Sequence, residues 1–348
     1  MTRLHKTIQV HTCCVLRVLI CFALFCSLPA AALVVAIKAG RIIDPGSDTT
    51  LTNQIVLVED GKISAIGPKV AIPSGSEIID LPQQTILPGL IDAHSHLCAT
   101  VDEHWDLGDF WIMALQRRSG YRAILGAQHA REMLEAGFTT VRDVGNSGDY
   151  LDIDLQKTIR FGIVPGPTII AAGRIIAPYG GQFWDTPADK KLLDNPEYYF
   201  ADNRDELRKA VRENIYWGAG VIKIVVDGQK YSYSADDIRF IVQEAAQAGV
   251  KVAAHVQTEK GARAAIEGGV ASIEHVDSFR EGGIPPMQIL KAMTIDAARL
   301  LGVDRERGSL KVGQAADLIA VAGDPTQDID ALGKVSLVMR NGSVFKAR

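Results

Sequence analysis

Short apolar runs alternate with amphipathic stretches through the middle of the chain, and this alternation predicts strands and helices in turn. The strand-like runs end at His94, Asp143, Ala172, Val226, His255 and Val276. Polar residues stand at the carboxyl ends of several runs, and that is the face on which (β/α) barrels carry their active sites. The pattern therefore predicts an α/β fold with six core strands of a TIM-type (β/α) barrel, residues 85–302.

Both ends of the chain have a different pattern, in which short β-like runs follow one another without helical stretches between them. Residues 33–84 carry three β-like runs with turn signals such as Asp60-Gly61, and residues 303–348 carry two more runs before Asn341-Gly342. Such dipeptides are typical of tight turns between strands. Short strands at both ends of an α/β chain predict that the termini meet in one small, discontinuous β-sandwich domain.

The predicted barrel is incomplete. Residues 276–286 are all that separate His275 from the helical pattern Met287–Leu301, whereas one βα unit takes about 30 residues. We therefore expect a barrel shortened near residues 277–287 that lacks the seventh and eighth units; it is either open or a shortened version of a complete ancestor. Uncovered strand edges and apolar helix faces then favour poor solubility of the monomer or a homo-oligomer.

Residues 1–32 have the features of a signal peptide. Basic residues precede the apolar run Val18–Leu28, and Ala30-Ala31-Ala32 offers small residues for cleavage. Pro29 interrupts the apolar run, and a membrane-spanning helix needs about 20 continuous apolar residues. We expect an exported protein, periplasmic or extracellular, with no stable membrane span after cleavage; an uncleaved segment would anchor it to the membrane.

Composition narrows the possible partners. The net charge is −4, and no basic stripe runs along the chain, so nucleic acid is not an expected partner. Outside the leader the sequence has a single cysteine, Cys98. An intrachain disulfide is therefore not expected in the mature protein.

Metal-ligand residues stand at the ends of the predicted strands. His94 and His96 are two residues apart on one strand, so both project to the same side and can hold one cation. Lys223 lies within the apolar run Val221–Val225, where an unpaired ammonium would cost several kcal/mol. Carbamylation would convert it into a carboxylate able to bridge two divalent ions. The alternatives are an ordinary polar pair at a strand end and a lysine that reaches the barrel rim.

The motifs resemble those of the amidohydrolase superfamily, particularly its imidazolonepropionase-like and Xaa-Pro dipeptidase or carboxypeptidase-like branch. The resemblance covers residues 33–348. Its motifs are Leu-Pro-Gly-Leu-Ile-Asp-Ala-His-Ser-His (87–96), Gly-Phe-Thr-Thr-Val-Arg-Asp-Val-Gly (137–145), Lys223, His255 and Ile-Glu-His (273–275).

The resemblance implies a binuclear metal centre in which three of the ligands also serve catalysis, namely Lys223, His255 and His275. His94 and His96 would hold the first divalent ion, His255 and His275 the second, and carbamylated Lys223 would bridge them. Zinc is the expected metal. A metal-activated hydroxide would then hydrolyse the carbon–nitrogen bond of a small molecule, dipeptide or cyclic amide.

One family feature has no match in this sequence. The resemblance implies an aspartate at the end of the eighth strand that handles the proton, and no such strand is predicted here. The alternative is therefore a catalytically impaired or non-catalytic relative. Gln182, Tyr231 and Tyr233 follow the third and fourth strands and are candidate substrate contacts, although loop exposure explains them equally well.

Overall fold

A computed structural model of the chain describes residues 34–182, 197–228, 230–275 and 285–347. The predicted signal peptide and residues 276–284 of the predicted shortening lie outside these ranges. Export and the missing barrel units therefore stay predictions. Within the described ranges no helix combines the length and the apolar character that crossing a membrane requires.

Fifteen strands are present in the described ranges. They are β1 (Val35–Asp44), β2 (Thr49–Glu59), β3 (Lys62–Gly67), β4 (Glu77–Pro88), β5 (Leu90–Ser95), β6 (Phe138–Asp143), β7 (Thr168–Ala171), β8 (Ile175–Ala177), β9 (Tyr198–Phe200), β10 (Val221–Val225), β11 (Lys251–His255), β12 (Ser272–Glu274), β13 (Leu318–Ala322), β14 (Val335–Arg340) and β15 (Ser343–Ala347).

The α-helices of the same ranges alternate with the central strands. They are α1 (Phe110–Gln116), α2 (Ser119–Glu135), α3 (Leu151–Arg160), α4 (Arg204–Trp217), α5 (Ala235–Ala246), α6 (Glu259–Gly268), α7 (Pro286–Lys291) and α8 (Ala297–Leu301). Between α7 and α8 lies a π-helical turn, Ala292–Asp296. The hydroxyl of Thr294 donates to the carbonyl of Leu290, a bond that competes with regular helix bonding.

Both ends of the chain contribute to one seven-stranded sheet, in the order β15-β14-β13-β4-β1-β2-β3. At its centre β4 pairs in parallel with β1 and antiparallel with β13, so Ile86 lies beside both Ile42 and Ala320. All three side chains are buried. The pairing establishes one mixed sheet, while the two-layer sandwich and the domain boundaries stay predictions.

Two parallel sheets make up the middle of the chain, β5-β6-β7 and β12-β11-β10-β8-β9. All six predicted core strands are present as strands. The short strands β8 and β9 were not predicted, because three residues each are too few to form a recognisable pattern. Among the described residues no strand pairing joins the two sheets, so barrel closure stays a prediction.

Side-chain caps begin four of the eight α-helices of the described ranges, namely α1, α4, α5 and α6. Ser234 begins α5 with a capping box: its hydroxyl accepts from the Asp237 amide, and the Asp237 carboxylate accepts from the Ser234 amide. This arrangement satisfies two amide groups that the first helical turn otherwise leaves unpaired. Helices α4, α5 and α6 cover the five-stranded sheet with a buried core that includes Leu207, Ile222 and Ile241.

Gly89 lies between β4 and β5, the strand that carries the predicted ligand His94. A Cβ atom at this position would stand 2.2 Å from the Thr139 hydroxyl oxygen, on the neighbouring strand β6. The Gly89 amide donates to the Asp317 carbonyl at 2.9 Å, which ties the junction to the segment just before β13. The glycine of the Leu-Pro-Gly-Leu motif therefore allows β5 to approach β6 closely enough to place His94.

Replacing Gly89 by alanine should lower the free energy of unfolding by about 1–3 kcal/mol, because the new methyl group forces β5 and β6 apart. Urea unfolding measures the change. Gly120→Ala is the matched control, since no atom lies within 4 Å of the added Cβ in α2 and alanine favours helix by about 0.5–1 kcal/mol. Equal stability of Gly89→Ala and wild type would contradict the packing argument.

Candidate metal centre

The two histidines at the end of β5 face each other through their Nε2 atoms, which stand 3.2 Å apart. The Nδ1 atom of His96 lies 2.8 Å from the Gly145 carbonyl. A carbonyl only accepts, so this Nδ1 carries the hydrogen and Nε2 keeps its lone pair. The Nδ1 atom of His94 lies 2.6 Å from a carboxylate oxygen of Glu274, and the same reasoning leaves its Nε2 with a lone pair. Two lone pairs at this separation require a proton or a cation between them.

Lys223 lies in the middle of β10, where only 2% of the residue is exposed. Its Nζ atom has no hydrogen-bond partner among the described residues. Burial lowers the pKa of the amine from 10.5 to about 8. The lysine charge in turn contributes to lower pKa values at His96 and His255, which places it within electrostatic reach of both histidine pairs.

The second pair of histidines comes from the ends of β11 and β12. The His255 and His275 rings have their centroids 4.8 Å apart, and the His275 ring is 4.7 Å from the His94 ring. His275 follows the last residue of β12 and has φ of 67°. This left-handed conformation is uncommon for a residue with a side chain. The His275 ring lies close to His94, which the Glu274 carboxylate also contacts.

Two imidazoles of this site, those of His96 and His255, are held in their neutral, ligating form. Burial is the main cause that lowers the pKa of His96 to about 4 and that of His255 to about 3. The Nε2 atom of His255 is buried without a hydrogen-bond partner in the described part of the chain. Neutral imidazole is the form that binds metal ions.

Sequence reasoning missed two residues that organise the site, Arg142 and Glu274. They form a buried ion pair, with Nη2 of Arg142 2.7 Å from the Glu274 carboxylate. Both lie inside motifs that the family resemblance singled out, 137–145 and 273–275. A charged residue within each predicted strand was the available signal, but the two paired residues are 132 positions apart in the sequence.

The donor set fits a divalent cation, although the described residues contain no group of three or more His, Cys, Asp or Glu side chains with the geometry of a metal site. Two nitrogen ligands about 2.0–2.1 Å from one tetrahedral ion stand about 3.3 Å apart, close to the 3.2 Å between the two Nε2 atoms. The unpartnered Lys223 amine and His255 Nε2 are two further buried donors that lack a partner. The five predicted ligands are thus brought together as two histidine pairs and a lysine.

The three candidate substrate contacts have different surroundings. The Gln182 backbone packs against Gly228, where an added Cβ would be 3.0 Å from the Gln182 Cα, so the segments after β8 and β10 touch. Tyr231 is 56% exposed. Tyr233 is only 3% exposed, and its hydroxyl donates to the Ala201 carbonyl at 2.7 Å. Tyr233 is therefore a core residue, and the alternative expectation that it is exposed on a loop is wrong.

Comparison with known proteins decides the family. A profile of the amidohydrolase family matches residues 85–283 and 277–345. The chain belongs to the amidohydrolase family. This confirms the resemblance stated from the motifs of β5, β6 and β12.

Individual relatives agree with this membership. The chain is 30% identical to the ochratoxinase of Aspergillus niger over 273 residues, which are 70% of this chain and 55% of that protein. It is 25% identical to the imidazolonepropionase of Saccharopolyspora erythraea over 241 residues, 65% of this chain and 57% of that protein. This amidohydrolase-family chain thus spans about half the length of these curated relatives.

Solved structures share the fold. A crystal structure of a Xaa-Pro dipeptidase with methionine bound in its active site superposes with a TM-score of 0.78 at 26% identity, covering 90% of this chain and all of that one. The crystal structure of the A. niger ochratoxinase gives a TM-score of 0.80 at 23% identity, covering 91% and 96% of the two chains. The arrangement of sheets and helices is therefore that of the family.

Replacing Lys223 by methionine should stabilise the metal-free protein at pH 7 by about 2–3 kcal/mol, because the buried ammonium is lost. Since the folded-state pKa is lowered to about 8, the unfolded chain binds more protons between pH 8 and 10.5, and wild-type stability rises across that window. The advantage of Lys223→Met should therefore shrink toward pH 10.5.

Urea unfolding in the presence of a chelator at pH 7 and at pH 10 measures both effects. Lys209→Met is the matched control, because Lys209 is exposed on α4 and its loss should change stability little. A lower stability of Lys223→Met than of wild type at pH 7 would show that the amine has a compensating partner.

Proposed function

We propose that this chain is a metal-dependent hydrolase of carbon–nitrogen bonds, acting on an amide, a dipeptide or a cyclic amide. The observation that carries the proposal is the 3.2 Å approach of the His94 and His96 Nε2 atoms, both oriented to offer lone pairs. Family membership supports the reaction class. The similarity to a Xaa-Pro dipeptidase supports a small substrate of dipeptide size.

Five residues would hold two divalent ions, with zinc as the proposed metal. His94 and His96 would bind the first ion, His255 and His275 the second, and carbamylated Lys223 would bridge them. When bound, such ions supply Lewis-acid activation of water and of the substrate carbonyl. Carbamylation requires the neutral amine: its nitrogen forms a bond to the carbon of carbon dioxide and one proton is released to solvent.

The protein prepares the site by controlling protonation. Burial lowers the pKa of Lys223 to about 8, so the neutral, reactive amine is far more abundant at neutral pH than it is for a lysine in water. Low pKa values keep His96 and His255 unprotonated under the same conditions. The chain thus keeps these two histidine ligands unprotonated and makes the lysine easier to deprotonate before a metal ion arrives.

Activity is tested with the purified chain after addition of zinc, cobalt or manganese, against a panel of dipeptides, N-acyl amino acids and cyclic amides. We expect turnover that a chelator abolishes and added metal restores. Lys223→Ala and His255→Ala should each lower kcat/KM at least about 100-fold, because each removes a ligand and not merely its support. The exposed-site control Lys209→Met should keep wild-type activity. Turnover that persists after complete metal removal would contradict the proposal.

A second candidate function is a metal-binding relative with impaired catalysis. One observation favours it: the two family matches meet at residues 277–283, where the sequence predicts missing barrel units. The proton-handling aspartate of the eighth strand would be lost with them, which typically costs about 10²–10⁴-fold in rate. Tight zinc binding without turnover of any panel member would select this candidate over the first.

A further inference from the structure

The two carboxylate oxygens of Glu274 contact different residues. Oε1 accepts hydrogen bonds from Nη2 of Arg142 at 2.7 Å and from the Ser272 hydroxyl at 2.6 Å. Oε2 faces Nδ1 of His94 at 2.6 Å. We propose that Glu274 is a positioning residue that fixes the tautomer and the ring orientation of His94, and that Arg142 anchors its carboxylate. This inference rests on the metal site of the proposed function.

Arg142 prevents the Glu274 carboxylate from turning. The guanidinium donates from Nε to the Ala93 carbonyl, next to His94, and from Nη1 to the Ser272 hydroxyl at 2.9 Å. Its side chain is 4% exposed and that of Glu274 is 7% exposed. With donors on three sides and little access for water, the carboxylate has one arrangement in which all of these bonds are made.

The ionised carboxylate determines which nitrogen of His94 carries the hydrogen. The carboxylate faces the buried guanidinium of Arg142 and accepts from the Ser272 hydroxyl, and these donors are the surroundings of an ionised carboxylate. An ionised carboxylate only accepts hydrogen bonds, so Nδ1 of His94 must donate. The Nε2 lone pair then points toward His96, as ligation requires. A carboxylate behind a metal-binding histidine both orients the ring and raises its basicity.

The substitution Glu274→Gln makes the orientation testable because a glutamine has one acceptor and one donor. Arg142 and Ser272 both donate to the Oε1 side, so the amide oxygen must stay there. The amide NH2 group then faces Nδ1 of His94, which has to become an acceptor. His94 would carry its hydrogen on Nε2 and lose the lone pair that ligation needs.

The expected effect is a zinc affinity about 10–100-fold weaker in Glu274→Gln than in wild type, measured by competition with a chromophoric chelator. Glu244→Gln is the matched control: Glu244 also bonds two arginines, Arg208 and Arg212, but on the outer helices. Its zinc affinity should equal that of wild type. Urea unfolding of the zinc-free variants reports the purely structural cost of each substitution.

Nitrogen-15 NMR of the zinc-free wild type and of Glu274→Gln at pH 8 tests the same inference without any metal ion. The His94 signals, assigned by their loss in His94→Gln, should show the hydrogen on Nδ1, and in Glu274→Gln they should show it on Nε2. Hydrogen on Nε2 in the wild type, or unchanged zinc affinity in a folded Glu274→Gln, would overturn the inference. Absence of zinc binding in the wild type would instead overturn the proposed function, so the two failures are distinguishable.

Discussion

The buried ion pair between Arg142 and Glu274 is the interaction on which the candidate site depends. It joins β6 of one parallel sheet to β12 of the other, and strand hydrogen bonds do not connect these two sheets in the described residues. The Glu274 carboxylate of this pair also positions His94. The His275 ring lies against the His94 ring on the same site. Removing one partner of such a pair typically costs about 3–5 kcal/mol, because the other charge is left buried.

Lys223 presents the opposite situation, a buried amine without a hydrogen-bond partner among the described residues. Its Nζ atom has no hydrogen bond within the described ranges. The free-energy cost of burying this amine has to be offset by favourable packing of the surrounding strands β10 and β11. Native proteins keep such costly arrangements mainly where function requires them. The lysine thus leaves an amine without a hydrogen bond in the interior, whereas the ion pair holds the carboxylate that contacts His94.

Local sequence patterns were sufficient to predict much of the fold. The six core strands, the α5 capping box at Ser234 and the five candidate ligands all follow from runs of a few residues. What could not be predicted depends on contacts between distant positions. The Arg142–Glu274 pair bridges 132 positions, and the burial of Tyr233 depends on Ala201. The strands β8 and β9 are three residues each and owe their conformation to the neighbouring sheet.

X-ray absorption at the zinc edge of the zinc-loaded chain tests the central claim, that these strand ends form a histidine-rich metal centre. The expected spectrum shows imidazole nitrogen ligands at about 2.0–2.1 Å, with the imidazole scattering reduced in His255→Ala and, at the other pair, in His94→Ala. Zinc surrounded by oxygen ligands alone, or a spectrum unchanged by either substitution, would contradict the claim.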